Sequence, residues 1–225
     1  LTRLRFPRLP RHLGIIPDGN RRWAVARGLP KEAGYAFGLD AGVALFDLVQ
    51  ELGIPEVTFY GFTNDNTRRP AAQTAAFRQA CVEAVKRIAE RDAAVLVVGN
   101  DASPVFPEEL RPYRERRTLG PAGRPKTRVN FLVNYDWAWD VSCALERPPQ
   151  GGTRRDLMES IGSADVPRLD LIVRWGGRCR LSGLLPLQSV YADFFVVDAL
   201  WPDFEPEHLF RALEWYGKQD ITLGG

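Results

Sequence analysis

The chain has 225 residues, and its Lys+Arg 30 against Asp+Glu 28 leave a net charge of only +2, which argues against general nucleic-acid binding and confines any anion site to a local cluster. Its length suits one large domain. The cysteines, Cys81, Cys143 and Cys179, lack metal-site spacing and favour a reducing compartment, and no apolar run reaches the ~18–20 residues of a membrane span, so the expected location is cytoplasmic with peripheral membrane contact left open.

Residues 1–12 read as an extended basic arm and residues 13–225 as a single domain. Residues 13–16 suit a buried strand, which runs into Pro17-Asp18-Gly19-Asn20 and a short helix over 21–27. Glycine permits close backbone approach and a helix start offers unpaired N–H groups, so this junction is expected to hold an anion. Asp18 is an acid in that setting, which points to a metal ion between the two.

Apolar spacing predicts a helix over 35–52, stopped by Gly53, then a strand over 57–62 that ends in the polar run 63–70. A long helix over 73–91 and a strand over 95–98 follow. Residues 107–117 read as helical, 120–126 as an exposed loop and 129–133 as a strand leading to a helix. Residues 148–152 are the best linker candidate, and 169–173 and 193–197 are further strands, with a turn at 201–204 and a final helix over 207–218. Alternating strands and helices predict an α/β domain whose ligands sit beyond the carboxyl ends of a largely parallel sheet.

Three polar clusters follow strand ends: Asp18-Gly19-Asn20 with Arg22; Asn66 with Arg69; and Arg174, Arg178, Arg180 and Ser182. Guanidinium forks and a hydroxyl make charge-assisted bonds to phosphate oxygens, so the third cluster suits a phosphate. A nucleotide-binding module is the blander reading, but no Gly-x-Gly-x-x-Gly or Walker loop is present.

Residues 12–24, 62–70, 170–182 and 191–204, the last with Leu200-Trp201-Pro202-Asp203-Phe204, together resemble the cis-prenyltransferases, the family of undecaprenyl diphosphate synthase. The resemblance implies a central, mostly parallel six-stranded sheet, an apolar tunnel between sheet and helices, and a homodimer. It also implies Mg²⁺-dependent condensation of an allylic diphosphate with isopentenyl diphosphate in cis, releasing pyrophosphate. By position, Asp18 would bind Mg²⁺ and the migrating diphosphate, with Gly19, Asn20, Arg21, Arg22, Trp23 and Arg69 around the allylic diphosphate. Asn66 would assist proton removal, and Arg174, Arg180 and Ser182 would hold isopentenyl diphosphate. Asp193 falls where the family has a metal-binding glutamate.

The chain also departs from that pattern. Lys31 replaces a phosphate-binding arginine, Tyr35 a histidine and Thr67 a tryptophan, while Trp175-Gly176-Gly177-Arg178 stands where Thr-Gly-Gly-Glu is usual. Asn134-Tyr135-Asp136-Trp137-Ala138 replaces Asn-Tyr-Gly-Gly-Arg, and Thr222-Leu223-Gly224 replaces a terminal Arg-Phe-Gly. Arg178 could restore in cis the charge lost at that terminus. Alternatively the acceptor differs, as in relatives that couple two allylic diphosphates irregularly or ionise and cyclise one, which Leu184-Leu185-Pro186-Leu187 mildly favours. A non-catalytic partner subunit is a third reading, disfavoured by the intact Asp18-Gly19-Asn20. Phe37, Phe46, Phe77, Phe194 and Phe195 are expected in the core, and Trp137, Trp139 and Trp175 beside the tunnel, where they would shorten the product to about C10 to C20 and shield a cation. His12 is expected to make a structural hydrogen bond, and His208 to be non-catalytic.

Overall fold

Strand residues of this chain are apolar on both faces, and that pattern builds a sheet covered by helices on either side. The computed structural model describes residues 6–119 and 127–220; the expected loop at 120–126 and the departure at Thr222 lie outside the described residues. Its strands are β1 (His12–Ile16), β2 (Glu56–Tyr60), β3 (Ala93–Val98), β4 (Arg117–Leu119), β5 (Thr127–Leu132), β6 (Leu171–Trp175) and β7 (Asp193–Val197). They lie in the order β4-β3-β5-β2-β1-β6-β7, all neighbours parallel except the β3–β4 pair.

The helices are α1 (Asn20–Ala26), α2 (Ala33–Leu52), α3 (Ala71–Ala89), α4 (Trp137–Glu146), α5 (Arg154–Ser160) and α6 (Pro206–Gly217). Leu13, Ile15, Val57, Phe59, Val129, Phe131 and Val173 pack under Leu45, Phe46, Val85 and Leu213 of α2, α3 and α6. The alternate strand residues Ile16, Leu96, Val98, Leu132 and Ile172 form a second core with Tyr135, Leu184 and Leu185 on the other face. The N-terminal residues do not hang free where they are described: Phe6 packs on Phe210, and Arg8 donates to the Tyr216 carbonyl.

The sheet has seven strands rather than the expected six, because β4 adds an antiparallel edge beyond β3. The helix expected over 107–117 is only a 3-10 segment, Glu108–Tyr113, with Pro112 inside it. Proline lacks the N–H that a continuing α-helix needs, and three residues of edge strand are too short to show a periodicity. α5 was not marked by apolar spacing; Thr153 and Asp156 start it with reciprocal capping bonds.

A buried polar chain links the amino ends of β1, β2 and β5. Asn130 Nδ2 donates to Glu56 Oε1 (2.9 Å) and to Thr58 Oγ1 (2.9 Å), which meets His12 Nε2 at 2.8 Å. His12 Nδ1 lies 3.1 Å from the Pro167 and Arg168 carbonyls, both acceptors, so Nδ1 carries the proton and Nε2 accepts from Thr58. Burial pulls the His12 pKa below its ordinary value, and burial together with Arg128 lowers Arg116 to about 10. Arg116 donates to Asn130 Oδ1 (2.7 Å) and lies near Glu56.

Candidate active site

Parallel pairing brings the carboxyl ends of β1, β2 and β6 to one edge, with Ile16 opposite Arg174 and Ile15 opposite Phe59. The turns that leave these strands enclose a polar cavity of about 470 Å³. Gly19 makes the first turn possible: its φ is 116°, and a Cβ there would meet Leu200 at 2.9 Å. Trp201 N then donates to the Asp18 carbonyl, tying this turn to the one after β7. Gly176, with φ 86°, lies against Arg22 and the Asp18 carbonyl where a side chain would not fit.

Arg174 is the centre of the cavity's bonding. Its guanidinium is 4% exposed and donates through Nη2 to Asp18 Oδ2 (2.7 Å) and through Nη1 to the Arg180 carbonyl (2.5 Å) and Ser182 Oγ (2.8 Å). Arg174 Nε is buried with no partner among the described residues. Arg22 lies 3.4 Å from the other Asp18 oxygen and donates to the Gly176 carbonyl (2.9 Å). Ser182 holds φ 53°, uncommon for a residue with a side chain, and its carbonyl accepts from Tyr60. The first and third polar clusters are therefore one bonded unit.

Asn66, 8% exposed, caps the 3-10 turn Asn64–Arg68 and lines the same cavity. Arg69 reaches the cavity from the end of that turn and donates to the Tyr35 hydroxyl at 2.8 Å. Burial lowers the Arg69 pKa and raises that of Tyr35, each opposed by the attraction between the two. Arg21, Arg178 and Arg180 complete the lining, so six arginines face a single carboxylate, Asp18. Gly19 and Asn20, at the start of the seven-residue α1, also line this cavity.

Not every expected residue converges here. Lys31 is exposed outside the cavity lining. Trp23 is buried against Phe37 and donates to Asp203 Oδ1 (2.6 Å), holding α1 to the Trp201–Asp203 turn instead of touching the cavity. Asp193 opens β7 opposite Leu171, three residues before the register of Arg174 and so about 10 Å back along the sheet. Its charged neighbours are Arg8 and Asp170, and burial raises its pKa. The chain by itself does not bring Asp193 to Asp18.

An apolar cavity of about 80 Å³ runs on from the polar one between the sheet and α2 and α3. Pro17, Asn20, Tyr35, Gly61 and Phe77 line both cavities. Deeper walls come from Leu39, Val43, Phe59, Ala84, Ile88 and Phe131. Trp175 does not line this space: it is fully buried, edge-on to Trp201 at 4.9 Å. Trp137 is 55% exposed, and Trp139 packs on Tyr135 across the sheet. Trp201 takes the expected place beside the apolar cavity, and Phe77 is a cavity wall rather than a core residue. The run Leu200-Trp201-Pro202-Asp203-Phe204 was the available signal for Trp201.

The donor set suits Mg²⁺, which is commonly held by one or two carboxylates with the remaining positions filled by water and substrate phosphates. Asp18 is the single carboxylate among the six arginines of the cavity, a donor set of that kind, and no group of three or more His, Cys, Asp or Glu able to hold a metal occurs among the described residues.

A family model described as "Putative undecaprenyl diphosphate synthase" matches residues 16–224. The chain belongs to this family. As a member of the undecaprenyl diphosphate synthase family it is a prenyltransferase, an enzyme of prenyl-transfer condensation. It is 32% identical to an isoprenyl transferase of Nitrosomonas europaea, the match covering 96% of this chain and 86% of the relative. It is also 32% identical to a ditrans,polycis-undecaprenyl-diphosphate synthase ((2E,6E)-farnesyl-diphosphate specific) of Pseudomonas putida, over 96% of this chain and 91% of that one. The fold matches a lavandulyl diphosphate synthase from Lavandula x intermedia, solved in complex with dimethylallyl diphosphate, with a TM-score of 0.83 at 21% identity, covering 96% and 98% of the two chains.

Proposed function

We propose that this prenyltransferase condenses an allylic diphosphate with isopentenyl diphosphate in cis, releasing pyrophosphate and leaving a short polyprenyl diphosphate. The observation that carries the reading is the junction of two unlike spaces: a cavity with six arginines and one carboxylate opens, across Tyr35 and Phe77, onto an apolar one. A prenyl diphosphate has the same division between charged head and apolar tail. Arg22 and Arg69, with the backbone of Gly19 and Asn20, hold the allylic diphosphate, and Arg174, Arg180 and Ser182 hold the acceptor's diphosphate. Arg178 adds positive charge on the acceptor side. Asn66 stands at the same cavity, suited to orient the acceptor and assist its proton loss.

Asp18 would hold Mg²⁺, which when bound neutralises charge developing on the leaving diphosphate. The apolar space is small, about 80 Å³, which favours a short product over a long one, and the length proposed is about C10 to C20. A homodimer is supported by Trp137, Val141 and Leu145, exposed at i, i+4 and i+8 along α4. The three cysteines are free, which supports action in a reducing compartment such as the cytoplasm.

The deciding experiment is mass analysis of products from dimethylallyl, geranyl and farnesyl diphosphates, each with and without isopentenyl diphosphate. Extension by five-carbon units only in its presence is expected. Coupled or cyclised product formed without it would replace this reading with irregular coupling or ionisation, and no turnover under any condition would favour a non-catalytic subunit.

A further inference from the structure

An unusual grouping stands where the two cavities meet. Tyr35, 4% exposed on the first turn of α2, stacks face to face on Phe77 of α3 with ring centroids 4.6 Å apart and planes 6° from parallel. Phe62 meets the Phe77 edge at 5.6 Å, which limits the ring's sideways freedom. Arg69, which lines only the polar cavity of the two, donates to the Tyr35 hydroxyl and sits 5.6 Å from the Phe77 centroid. One guanidinium thus faces the anion site and fastens the aromatic pair behind it.

We propose that the Tyr35–Phe77 stack is the gate that sets which prenyl tails this chain admits, and that Arg69 latches it through the Tyr35 hydroxyl. This rests on reading the polar and apolar cavities as head-group and tail sites. A diphosphate in the polar cavity competes with the phenol oxygen for Arg69, because a charged acceptor binds a guanidinium more strongly than a neutral one. Arg69 turned toward the diphosphate releases Tyr35, the stack slides apart, and the tail passes between α2 and α3. Neither aromatic residue needs to touch the reacting carbon; both act on tail length, through specificity.

The test uses calorimetric binding in Mg²⁺ buffer, so it does not depend on turnover. Inorganic pyrophosphate reports the head-group site alone, and the unreactive farnesyl and dimethylallyl S-thiolodiphosphates report head plus long or short tail. Phe77→Ala is expected to tighten the farnesyl analogue about tenfold while pyrophosphate and the dimethylallyl analogue stay within about twofold. Tyr35→Phe, which keeps the ring and removes the latch, is expected to tighten pyrophosphate itself by about threefold. Equal shifts for all three ligands in Phe77→Ala, or no shift, would overturn the gate, and weaker pyrophosphate binding in Tyr35→Phe would overturn the latch. Should Phe77→Ala not fold, Phe77→Leu is read by the same criteria. If pyrophosphate does not bind the native protein, the head-group reading fails and the gate with it, whereas native binding of pyrophosphate without these shifts rejects the gate alone.

Discussion

Replacing Asp18 separates two jobs that the structure gives to one carboxylate. Asp18→Ala leaves Arg174 Nη2 without its 2.7 Å partner, while its bonds to the Arg180 carbonyl and Ser182 remain. Stripping one member from a fully buried pair costs about 3–5 kcal/mol, but the Asp18 side chain is 31% exposed to an open cavity where water can replace it. The expected destabilisation is therefore about 1–2 kcal/mol, or a melting temperature lower by roughly 2–8 °C for a domain of this size. Turnover should fall much further, by about 10²–10³, because the metal-holding charge at the leaving group is gone. Asp18→Asn keeps an oxygen for Arg174 and should melt within about 3 °C of the native protein while losing turnover as completely. Circular-dichroism melts and pyrophosphate release measure the two effects. An Asp18→Asn enzyme that keeps more than about a tenth of native turnover would refute the assignment, since an amide is a poor Mg²⁺ ligand.

Three further outcomes are expected. Chelation should abolish pyrophosphate release and added Mg²⁺ should restore it, with the circular-dichroism spectrum unchanged, since Asp18 is a single open ligand. Gly38→Ala places a methyl group on Asn20 Oδ1 and 2.8 Å from the Trp201 ring, so it should cost about 1–3 kcal/mol in chemical denaturation and reduce turnover by displacing the Asp18 turn. The His12 pKa is lowered in the fold from an unfolded value near 6.5, so the unfolded chain takes up the proton first and stability is lost as pH falls below about 6.5. Above that pH the contribution is flat, and His12→Gln should remove this part of the pH dependence of the melting temperature.

Much of the site was legible because it lies in short loops whose residue types have few other uses. Asp18-Gly19-Asn20 and Arg174 to Ser182 follow strands that the apolar pattern located to within a few residues, and β7 occupies the expected residues 193–197. What spacing alone did not reveal was which wall of a helix faces empty space. Phe77 has the signature of a core residue because a cavity wall and a core contact impose the same apolar requirement. The metal role of Asp193 came from the family resemblance alone: the strand read over 193–197 already puts it at the amino end, and the pairing with Leu171 keeps it away from Asp18 within one chain. Trp175, expected beside the tunnel, instead closes β6 with its ring packed edge-on to Trp201, which lines the apolar cavity, and only that packing distinguishes the two.

The hydrogen-bond chain from Asn130 through Thr58 to His12 has one further consequence. Each link has a fixed donor and a fixed acceptor, so β5, β2 and β1 are pinned together in a single register at the end of the sheet remote from Asp18. The protein resembles a clothes-peg with its spring at that end. Movements that admit a tail are left to α2 and α3 swinging over an unmoving floor, and amide hydrogens of β1, β2 and β5 should be among the slowest in the molecule to exchange while those flanking Phe77 exchange far sooner.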